Sequence, residues 1–305
     1  MAQETQDPVV SGAEEGSSAG LEPGLHILST PIGAAKDLSL RGLAALREAD
    51  MLVCEDTRVL RKLLDLHGAP LSGRPLLTYH EHNGEAVRPK ILAHLAEGRS
   101  VVLTSDAGTP LIADPGYKLV RAARAAGHKV TALPGPSAML AALVISGLPT
   151  DAFCFIGFPP TKPGARRKVF ERWAAAPGSL VLYEAPRRLA DTLRDLADIL
   201  GANREAAIAR EMTKRYEEVR TGGLGALADE IGAIDPLKGE VVVVVGPPEE
   251  ENADETAIDA LLTQLLETHS LKDAVQSAAA ALGAPKKLVY GRALVIKGTN
   301  HGGDA

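Results

Sequence analysis

Cysteine and aromatic residues are scarce in this chain of 305 residues. Its two cysteines, Cys54 and Cys154, both lie in apolar runs. They are therefore expected to be small core residues, and neither a disulfide framework nor a zinc site is predicted. This cysteine usage is typical of a protein of the reducing cytoplasm. Because only 3% of the residues are aromatic, alanine, leucine and valine must provide most of the core packing.

Several patterns that would identify other classes of protein are also missing. No apolar run approaches the roughly 20 residues that cross a membrane, and residues 1–22 carry neither the basic nor the apolar part of a signal peptide. The dinucleotide-binding and P-loop glycine patterns and the Gly-x-Ser-x-Gly elbow are not found. No His, Cys or Asp cluster has metal-ligand spacing. We therefore expect a soluble cytoplasmic protein with no membrane partner and no bound metal.

The formal net charge of −6 is unevenly distributed. Residues 1–23 contain five acidic side chains and no lysine or arginine, and residues 229–260 contain ten acidic side chains against one lysine. The rest of the chain consequently has a net positive charge. A basic body with acidic appendages is compatible with a polyanionic partner, although charged surfaces are often simply solvated.

Strand-like and helix-like segments alternate regularly through the first half of the chain. The apolar runs predict strands at 25–28, 51–54, 76–80, 101–104 and 129–133, and segments with helical spacing follow them. Such alternation predicts a largely parallel sheet covered on both faces. Two α/β domains are predicted, an N-terminal one at 24–147 and a C-terminal one at 148–246. A disordered acidic tail at 1–23 precedes them, and a linker at 247–256, a helical module at 257–295 and a tail at 296–305 follow them. Helix-turn-helix is one possibility for the helical module.

Three loops rich in glycine and proline follow predicted strands. They are 30–33 (Thr-Pro-Ile-Gly), 106–110 (Asp-Ala-Gly-Thr-Pro) and 134–138 (Pro-Gly-Pro-Ser-Ala). The carboxyl ends of parallel strands share one edge of the sheet, where ligands bind in open α/β folds. Small residues there let a ligand approach the backbone closely. The alternatives are an ordinary strand-to-helix turn with Asp106 as a helix cap, tight packing at Ser137 and Ala138, and a purely turn-shaping role for Pro31.

Eight ordered motifs between Leu25 and Gly246 together carry a resemblance to a known family. They lie at 29–33 with 37–41, 54–58, 105–116, 133–138, 146–151, 155–160, 183–188 and 209–214. They resemble the tetrapyrrole methylase superfamily and, within it, the ribosomal RNA small subunit methyltransferase I family. Departures from that family's usual pattern are Ala34-Ala35 for Asn-Leu, Arg187 for His and Met212 for Leu.

The resemblance implies a fold, a reaction and a partner. The fold would be two α/β domains of the tetrapyrrole methylase type with a cofactor cleft between them, followed by a small C-terminal helical module. The reaction would be S-adenosylmethionine-dependent 2′-O-methylation of a cytidine ribose in 16S rRNA, presented within the 30S subunit. A homodimer is also implied. Two alternatives remain, namely a precorrin-type tetrapyrrole methyltransferase and a catalytically inactive ribosome-binding relative.

The resemblance also implies which residues contact S-adenosylmethionine. They are Pro31, Ile32, Asp106, Thr109, Ser137, Ala138, Leu182, Tyr183 and Ala209. Their chemistry suits that ligand, because an adenine needs an apolar slot with backbone hydrogen bonds and a methionine amino group needs an acceptor such as Asp106.

Methyl transfer to a ribose hydroxyl requires that the attacking oxygen lose its proton, so a general base or a polarising cation is expected. The candidates are Glu55, Asp56, Glu184, Glu211 and Lys214, together with the hydroxyl of Tyr183. Each of them is also a plausible member of a structural ion pair. The choice among them stays open at the level of the sequence.

An RNA partner requires exposed cations that neutralise phosphates. Lysines and arginines are concentrated in the loop and helix start at 162–168, and others lie near predicted strand ends. The predicted RNA-binding residues are Lys162, Arg166, Arg167, Lys168, Arg58, Arg187 and Arg188. The alternative for the 162–168 segment is a solvated helix entry. Since aromatic residues are few, recognition is expected to rest on RNA shape and phosphates.

Overall fold

The computed structural model describes residues 20–234, 237–248 and 255–299. Most of the predicted acidic tail, most of the predicted linker and the last six residues lie outside these ranges. Along the described chain, no helix has the length and apolar character needed to cross a membrane. The described residues group into two compact units, which we describe separately.

The first unit combines the described part of Met1–Ile145 with Ile208–Val219 and Gly239–Val242. Its five-stranded sheet has the order β3-β2-β4-β1-β5, and every neighbouring pair is parallel. The strands are β1 (Gly24–Leu28), β2 (Met51–Cys54), β3 (Leu76–Thr78), β4 (Ser100–Thr104) and β5 (Val130–Leu133). The five predicted strands are therefore present, although the third ends at Thr78 rather than at residue 80.

Four helices connect these strands and a fifth follows β5, as the alternating pattern predicts. They are α1 (Leu40–Glu48), α2 (Thr57–Leu66), α3 (Gly84–Ala96), α4 (Tyr117–Ala125) and α5 (Ala138–Ile145). Side chains cap two of them, since Ser39 accepts a hydrogen bond from the Gly42 amide and Asp56 accepts one from the Arg58 amide. One core cluster includes Leu46 and Leu60 of α1 and α2, and a second includes Ile91 and Leu119 of α3 and α4. The central strands β2 and β4 are buried throughout, as expected for a parallel sheet with two covered faces.

The order of the strands creates a switch point between β4 and β1. These neighbours lead to opposite sides of the sheet, because β1 is followed by β2 and β4 is followed by β5. At such a point the loops leave the carboxyl ends of the two strands in opposite directions and open a crevice in which ligands bind. Two of the three predicted ligand loops follow β1 and β4.

A second sheet has the order β6-β7-β10-β8-β9. Its strands are β6 (Phe153–Phe155), β7 (Ser179–Glu184), β8 (Glu205–Arg210), β9 (Glu218–Gly223) and β10 (Val241–Val245), with helices α6 (Pro163–Trp173), α7 (Leu189–Leu200) and α8 (Leu224–Gly232). Each compact unit is made of three separate segments of the sequence, so no single boundary divides the two units. The second unit comprises Ser146–Ala207, Arg220–Lys238 and the described part of Val243–Ala305, whereas the sequence predicts one boundary at 147/148.

Three helices follow the second sheet: α9 (Glu255–Leu266), α10 (Leu271–Leu282) and α11 (Lys286–Thr299). They bury a small core of their own that includes Ile258, Leu262 and Val289. The structure corrects the predicted end of this module at residue 295, because α11 continues through Thr299. Ile296 packs against the same core, which explains why the helix extends into the predicted tail.

Candidate functional site

The loops after β1 and β4 are joined by backbone hydrogen bonds. The Thr30 amide donates to the Gly108 carbonyl over 2.8 Å, and the Gly108 amide donates back to the Thr30 carbonyl over 3.0 Å. The Thr30 hydroxyl donates to the Ser105 carbonyl over 3.2 Å. Gly108 has a φ of +76°, which is the left-handed region that favours glycine. The two loops therefore form one small backbone platform at the switch point.

The loop after β5 is attached to this platform through Thr109. The Thr109 hydroxyl donates to the Pro136 carbonyl over 3.1 Å and lies 2.9 Å from the Ser29 hydroxyl. Gly135 approaches the first loop so closely that a Cβ there would lie 3.2 Å from the Ser29 carbonyl oxygen. The three predicted loops thus meet at one edge of the sheet, and the hydroxyl of Thr109 holds them together.

The predicted cofactor residues divide according to their exposure. Pro31, Thr109, Ser137 and Ala138 are half-buried, Ile32 is 8% exposed, and Asp106 is exposed, all in the three joined loops. In the second unit, Tyr183 packs edge-on against Phe155 and Phe158, with ring centroids 4.9 and 5.3 Å away. Leu182 is fully buried and Ala209 is 1% exposed. Neither presents a surface to a ligand, so both are left out of the cofactor site proposed below.

Four carboxyl groups follow β2 and β4 at the same sheet edge. Asp106 Oδ1 accepts a hydrogen bond of 3.0 Å from the Asp56 amide, which ties the two loops together. Desolvation raises the pKa of Asp106, Asp114 and Glu55, and neighbouring carboxylates raise these pKa values further. Asp56 is the exception, because its hydrogen bonds from Arg58 lower its pKa to about 2. Asp56 therefore stays ionised and is a weak base.

Glu184 is an internal structural group rather than an exposed acid. Its side chain is fully buried. Its carboxylate accepts hydrogen bonds from the Ala185 amide (2.6 Å), the Arg188 guanidinium (2.7 Å) and the Thr192 hydroxyl (2.6 Å). The structure therefore corrects the expectation that Glu184 and Arg188 act on substrate or RNA, since the two side chains bind each other inside the second unit.

Glu211 and Lys214 form a second internal network, in the segment of the first unit that follows β8. Lys214 Nζ lies 2.8 Å from Glu211 Oε1 and 2.9 Å from Glu240 Oε2. The hydrogen bond from Lys214 lowers the pKa of Glu211. Burial lowers the pKa of Lys214, but its hydrogen bonds to the two glutamates outweigh that effect and raise it. Both groups therefore stay charged and paired, so neither is a suitable proton acceptor.

The same segment supports the loop after β1, the first of the three joined loops. The Ala34 amide donates to the Thr213 hydroxyl over 3.0 Å. Thr213 and Glu211 have positive φ values of 61° and 52°, a conformation that is uncommon without glycine and that often occurs at functional sites. A Cβ on Gly33 would lie 2.5 Å from Cγ of Lys214 and 2.6 Å from Oγ1 of Thr213. Gly33 is consequently required for this close approach.

We expect Gly33→Ala to displace the first loop and weaken S-adenosylmethionine binding, because the added methyl group has no room. Overpacking of this kind costs about 1–3 kcal/mol. Calorimetric titration and thermal unfolding measure the two effects. Gly164→Ala is the matched control, since a Cβ there meets no atom within 4 Å. A Gly33→Ala variant with the affinity and melting temperature of the wild type would contradict this account of the loop.

The predicted RNA-binding cations differ in their availability. Arg166 is 4% exposed, and its guanidinium binds Asp195 through contacts of 2.8 and 2.6 Å. Arg167 binds Asp195 and Asp198, and Arg58 binds Asp56. Lys162, Lys168 and Arg187 are exposed. The structure therefore corrects the prediction for Arg166, because a buried and paired guanidinium cannot reach a phosphate.

A cavity of about 770 Å³ lies in the first unit, beside the carboxyl groups of the β2 and β4 loops. It is lined by Glu55 and by residues within 79–88 and 113–118, including His80 and His82. Neither histidine was predicted, although the polar run 80–83 directly follows β3, the same signal that identified the other loops. In the part of the chain that the structure describes, no group of His, Cys, Asp or Glu is arranged to hold a metal ion.

Comparison with known proteins identifies the family of this chain. The family model "Tetrapyrrole (Corrin/Porphyrin) Methylases" matches residues 24–228, and the model "RsmI C-terminal HTH domain" matches residues 252–297. A protein of Mesorhizobium japonicum named ribosomal RNA small subunit methyltransferase I is 48% identical over 293 residues, covering 96% of this chain and 99% of the relative. A protein of Escherichia coli O157:H7 with the same name is 40% identical, covering 90% and 96%. The chain belongs to the ribosomal RNA small subunit methyltransferase I family.

Solved structures confirm the two-domain α/β architecture expected of a ribosomal RNA small subunit methyltransferase I family member. The methyltransferase CobJ has a TM-score of 0.56 at 24% identity, covering 73% of this chain and 94% of CobJ. Diphthine synthase has a TM-score of 0.53 at 19% identity, covering 73% and 89%. At these identities the likeness concerns the fold alone. The helical module at the C-terminus is the part matched by the helix-turn-helix model, which confirms that possibility.

Proposed function

We propose that this protein transfers the methyl group of S-adenosylmethionine to the 2′-hydroxyl of a cytidine in 16S rRNA, within the 30S subunit. The observation that carries the proposal is the set of three loops hydrogen-bonded together at the switch point of the first sheet. Its relatives, named ribosomal RNA small subunit methyltransferase I, support the choice of an rRNA acceptor. Homodimerisation stays a prediction that follows from the resemblance, and a cytoplasmic location stays a prediction from the sequence composition.

The joined loops fit S-adenosylmethionine by their chemistry. Ile32 and Ala138 offer apolar surface for an adenine, and the absence of a side chain at Gly135 lets the loop after β5 pack closely on the loop after β1. Among the described residues, Asp106 Oδ2 receives no hydrogen bond, so it can accept one from an amino group. The bound cofactor would supply an electrophilic methyl group. Pro31, Thr109 and Ser137 complete the proposed cofactor site in the first unit, whereas the role of Tyr183, which belongs to the second unit, stays a prediction from the resemblance.

Glu55 is the carboxylate best suited to accept the proton of the attacking hydroxyl. Desolvation and the charges of Asp106, Asp114 and Asp56 raise its pKa. No described residue forms a hydrogen bond or ion pair with it, whereas Glu184 and Glu211 are fully engaged. A base with a pKa closer to neutrality accepts a proton more effectively than an ordinary carboxylate. The exposed cations Lys162, Lys168 and Arg187 form the proposed RNA surface, where phosphate contacts would make binding salt-dependent.

The decisive experiment is methyl transfer from labelled S-adenosylmethionine to purified 30S subunits that lack the modification, followed by nuclease digestion and mass spectrometry. We expect 2′-O-methylcytidine as the product. No product with intact cofactor binding would favour a tetrapyrrole acceptor. No product and no cofactor binding would favour an inactive ribosome-binding relative.

Glu55→Gln is expected to lower kcat about a hundredfold or more, the usual contribution of a general base. In the wild type, the rate should fall as the pH is lowered through the raised pKa of Glu55, because the protonated carboxyl cannot accept a proton. That limb of the pH profile should be lost in the variant. A variant that keeps both the wild-type kcat and its acid limb would exclude Glu55 as the base.

A further inference from the structure

The cavity beside Glu55 has a position that suits a second substrate. The proposed cofactor loops follow β4, β1 and β5, on one half of the sheet order. The cavity is lined from the other half by Glu55 after β2 and by residues 79–82 after β3. Residues 113–118, in the connection from β4 to α4, line its side nearer the cofactor loops. The Asp106–Asp56 hydrogen bond joins the two halves. A transferase needs two adjoining sites, and this edge of the sheet has space for both.

The lining of this cavity, which we call the acceptor groove, is rich in hydrogen-bond acceptors. Four acidic residues, Glu55, Glu81, Glu85 and Asp114, line it, together with Tyr117, an aromatic residue that is 65% exposed. Carboxylates accept hydrogen bonds and do not donate them when ionised. The groove therefore favours a ligand with an amino group over one that has only carbonyl oxygens at the same position.

Positively charged side chains and backbone hydrogen-bond donors line the groove as well. Arg88 and Lys118 contribute positive charge, and α4 begins there at Gly116 without a side-chain cap. An uncapped helix start offers backbone N–H groups to an anion. Within the described chain, the buried atoms Nδ1 of His80 and Nε of Arg88 have no hydrogen-bond partner. Buried polar atoms are rarely left without a partner. Because these two atoms are covered by protein, a ligand in the groove would reach them only after a shift of the side chains around them.

The acidic residues of the groove favour an amino group, and its positive charges favour an anion. A nucleotide combines the two, because it joins a base that can carry an amino group to an anionic phosphate. Cytosine and adenine present an exocyclic amino group where uracil presents a carbonyl oxygen, and Glu and Asp are the side chains that accept from the amino group of cytosine. The volume of about 770 Å³ is in the range of sites for small organic ligands. Enzymes that act on a nucleotide within folded RNA or DNA commonly extrude it into such a pocket.

We propose that the acceptor groove receives the target nucleotide and that Glu85 and Asp114 accept hydrogen bonds from the amino group of its base, thereby selecting cytosine over uracil. This inference rests on the proposed function and adds to it a location and a basis for the choice of base. Glu55 lines the same groove, which brings the proposed proton acceptor to the ribose of the bound nucleotide. Tyr117 contributes a face on which the base stacks.

The test compares wild type with the double variant Glu85→Gln/Asp114→Asn on two 30S substrates, one with cytidine and one with uridine at the modified position. We expect the wild type to prefer cytidine strongly. In the double variant, KM for the cytidine substrate should rise about tenfold, the usual effect of losing a hydrogen bond to a charged group, and the preference over uridine should fall by at least as much. In the single variant Glu85→Gln, affinity for S-adenosylmethionine should stay within about twofold, because Glu85 lies on α3 and outside the three joined loops.

Glu48→Gln is the matched control, an exposed carboxyl at the end of α1 outside the groove, and it should behave as wild type. If the double variant is unstable, Glu85→Gln alone replaces it, since that side chain is exposed on α3, and it must lose part of the preference. Wild-type KM and wild-type base preference in a folded variant would overturn the inference and leave the proposed function standing. Failure of the wild type to methylate either ribose would instead overturn the proposed function itself.

Discussion

Replacing Asp106 with alanine is expected to weaken S-adenosylmethionine binding about a hundredfold. The substitution removes the acceptor that holds the β4 loop to the Asp56 amide and also removes the carboxylate proposed to bind the amino group of the cofactor. A hydrogen bond to a charged group contributes about 1.5–3 kcal/mol, so the loss of that bond alone accounts for roughly a tenfold to hundredfold change. Calorimetric titration with the cofactor measures it directly.

Asp106→Asn separates the two roles of this side chain. An asparagine keeps a carbonyl oxygen that can accept from the Asp56 amide, but it lacks the negative charge. We therefore expect Asp106→Asn to retain the fold of the loop and to bind the cofactor less tightly than wild type, though more tightly than the alanine variant. Asp65→Asn, an exposed carboxyl on α2, is the control and should have no effect. An affinity within twofold of wild type in both Asp106 variants would remove Asp106 from the cofactor site.

Arg166→Glu is expected to unfold or severely destabilise the second unit rather than to weaken RNA binding selectively. Asp195 is itself only 13% exposed and is held by both Arg166 and Arg167. The substitution would place a second carboxylate beside it in a buried position. Breaking a buried ion pair by changing one partner costs about 3–5 kcal/mol, which is a large part of the 5–15 kcal/mol that stabilises a typical domain. Urea denaturation provides the measurement.

Lys168→Glu makes the same change of charge two residues further along α6, at an exposed position. Its effect on the free energy of unfolding should be within about 0.5 kcal/mol, whereas its affinity for 30S subunits should fall, most clearly at low salt. The two variants together distinguish a structural arginine from an RNA-binding lysine. A stable Arg166→Glu variant that loses RNA affinity to the same extent as Lys168→Glu would show that the buried pair is dispensable.

Much of the fold was predictable because it depends on local pattern. The apolar runs of β1 to β5 and the spacing of the helices between them are properties of short segments. The caps at Ser39 and Asp56 and the positive φ of Gly108 are equally local. The strand order β3-β2-β4-β1-β5 is different, because it depends on which distant strands pair. That order decides that the loops after β1 and β4 meet at a switch point.

The burial and ion pairing of the charged residues could not be predicted from the sequence. In the sequence, the cations of one cluster look equivalent, as Lys162, Arg166, Arg167 and Lys168 do. In the structure they differ in burial and in ion pairing. Phe170, one helical turn after Arg166, is fully buried and was a signal that the two share an inward face. The partner Asp195 lies 29 residues away, and no local pattern reveals it.

The sequence by itself determined the alternating α/β framework, the position of the small-residue loops and the family, because each depends on residues close together in the chain or on motifs in a fixed order. Only the tertiary structure decided which ionisable groups are available for chemistry. It paired Glu184 with Arg188 and Glu211 with Lys214, whereas Glu55, beside the acceptor groove, has no hydrogen-bond or ion-pair partner among the residues that the structure describes. Pairing and desolvation depend on neighbours from distant segments, and these two effects set the pKa and the accessibility of a carboxyl group.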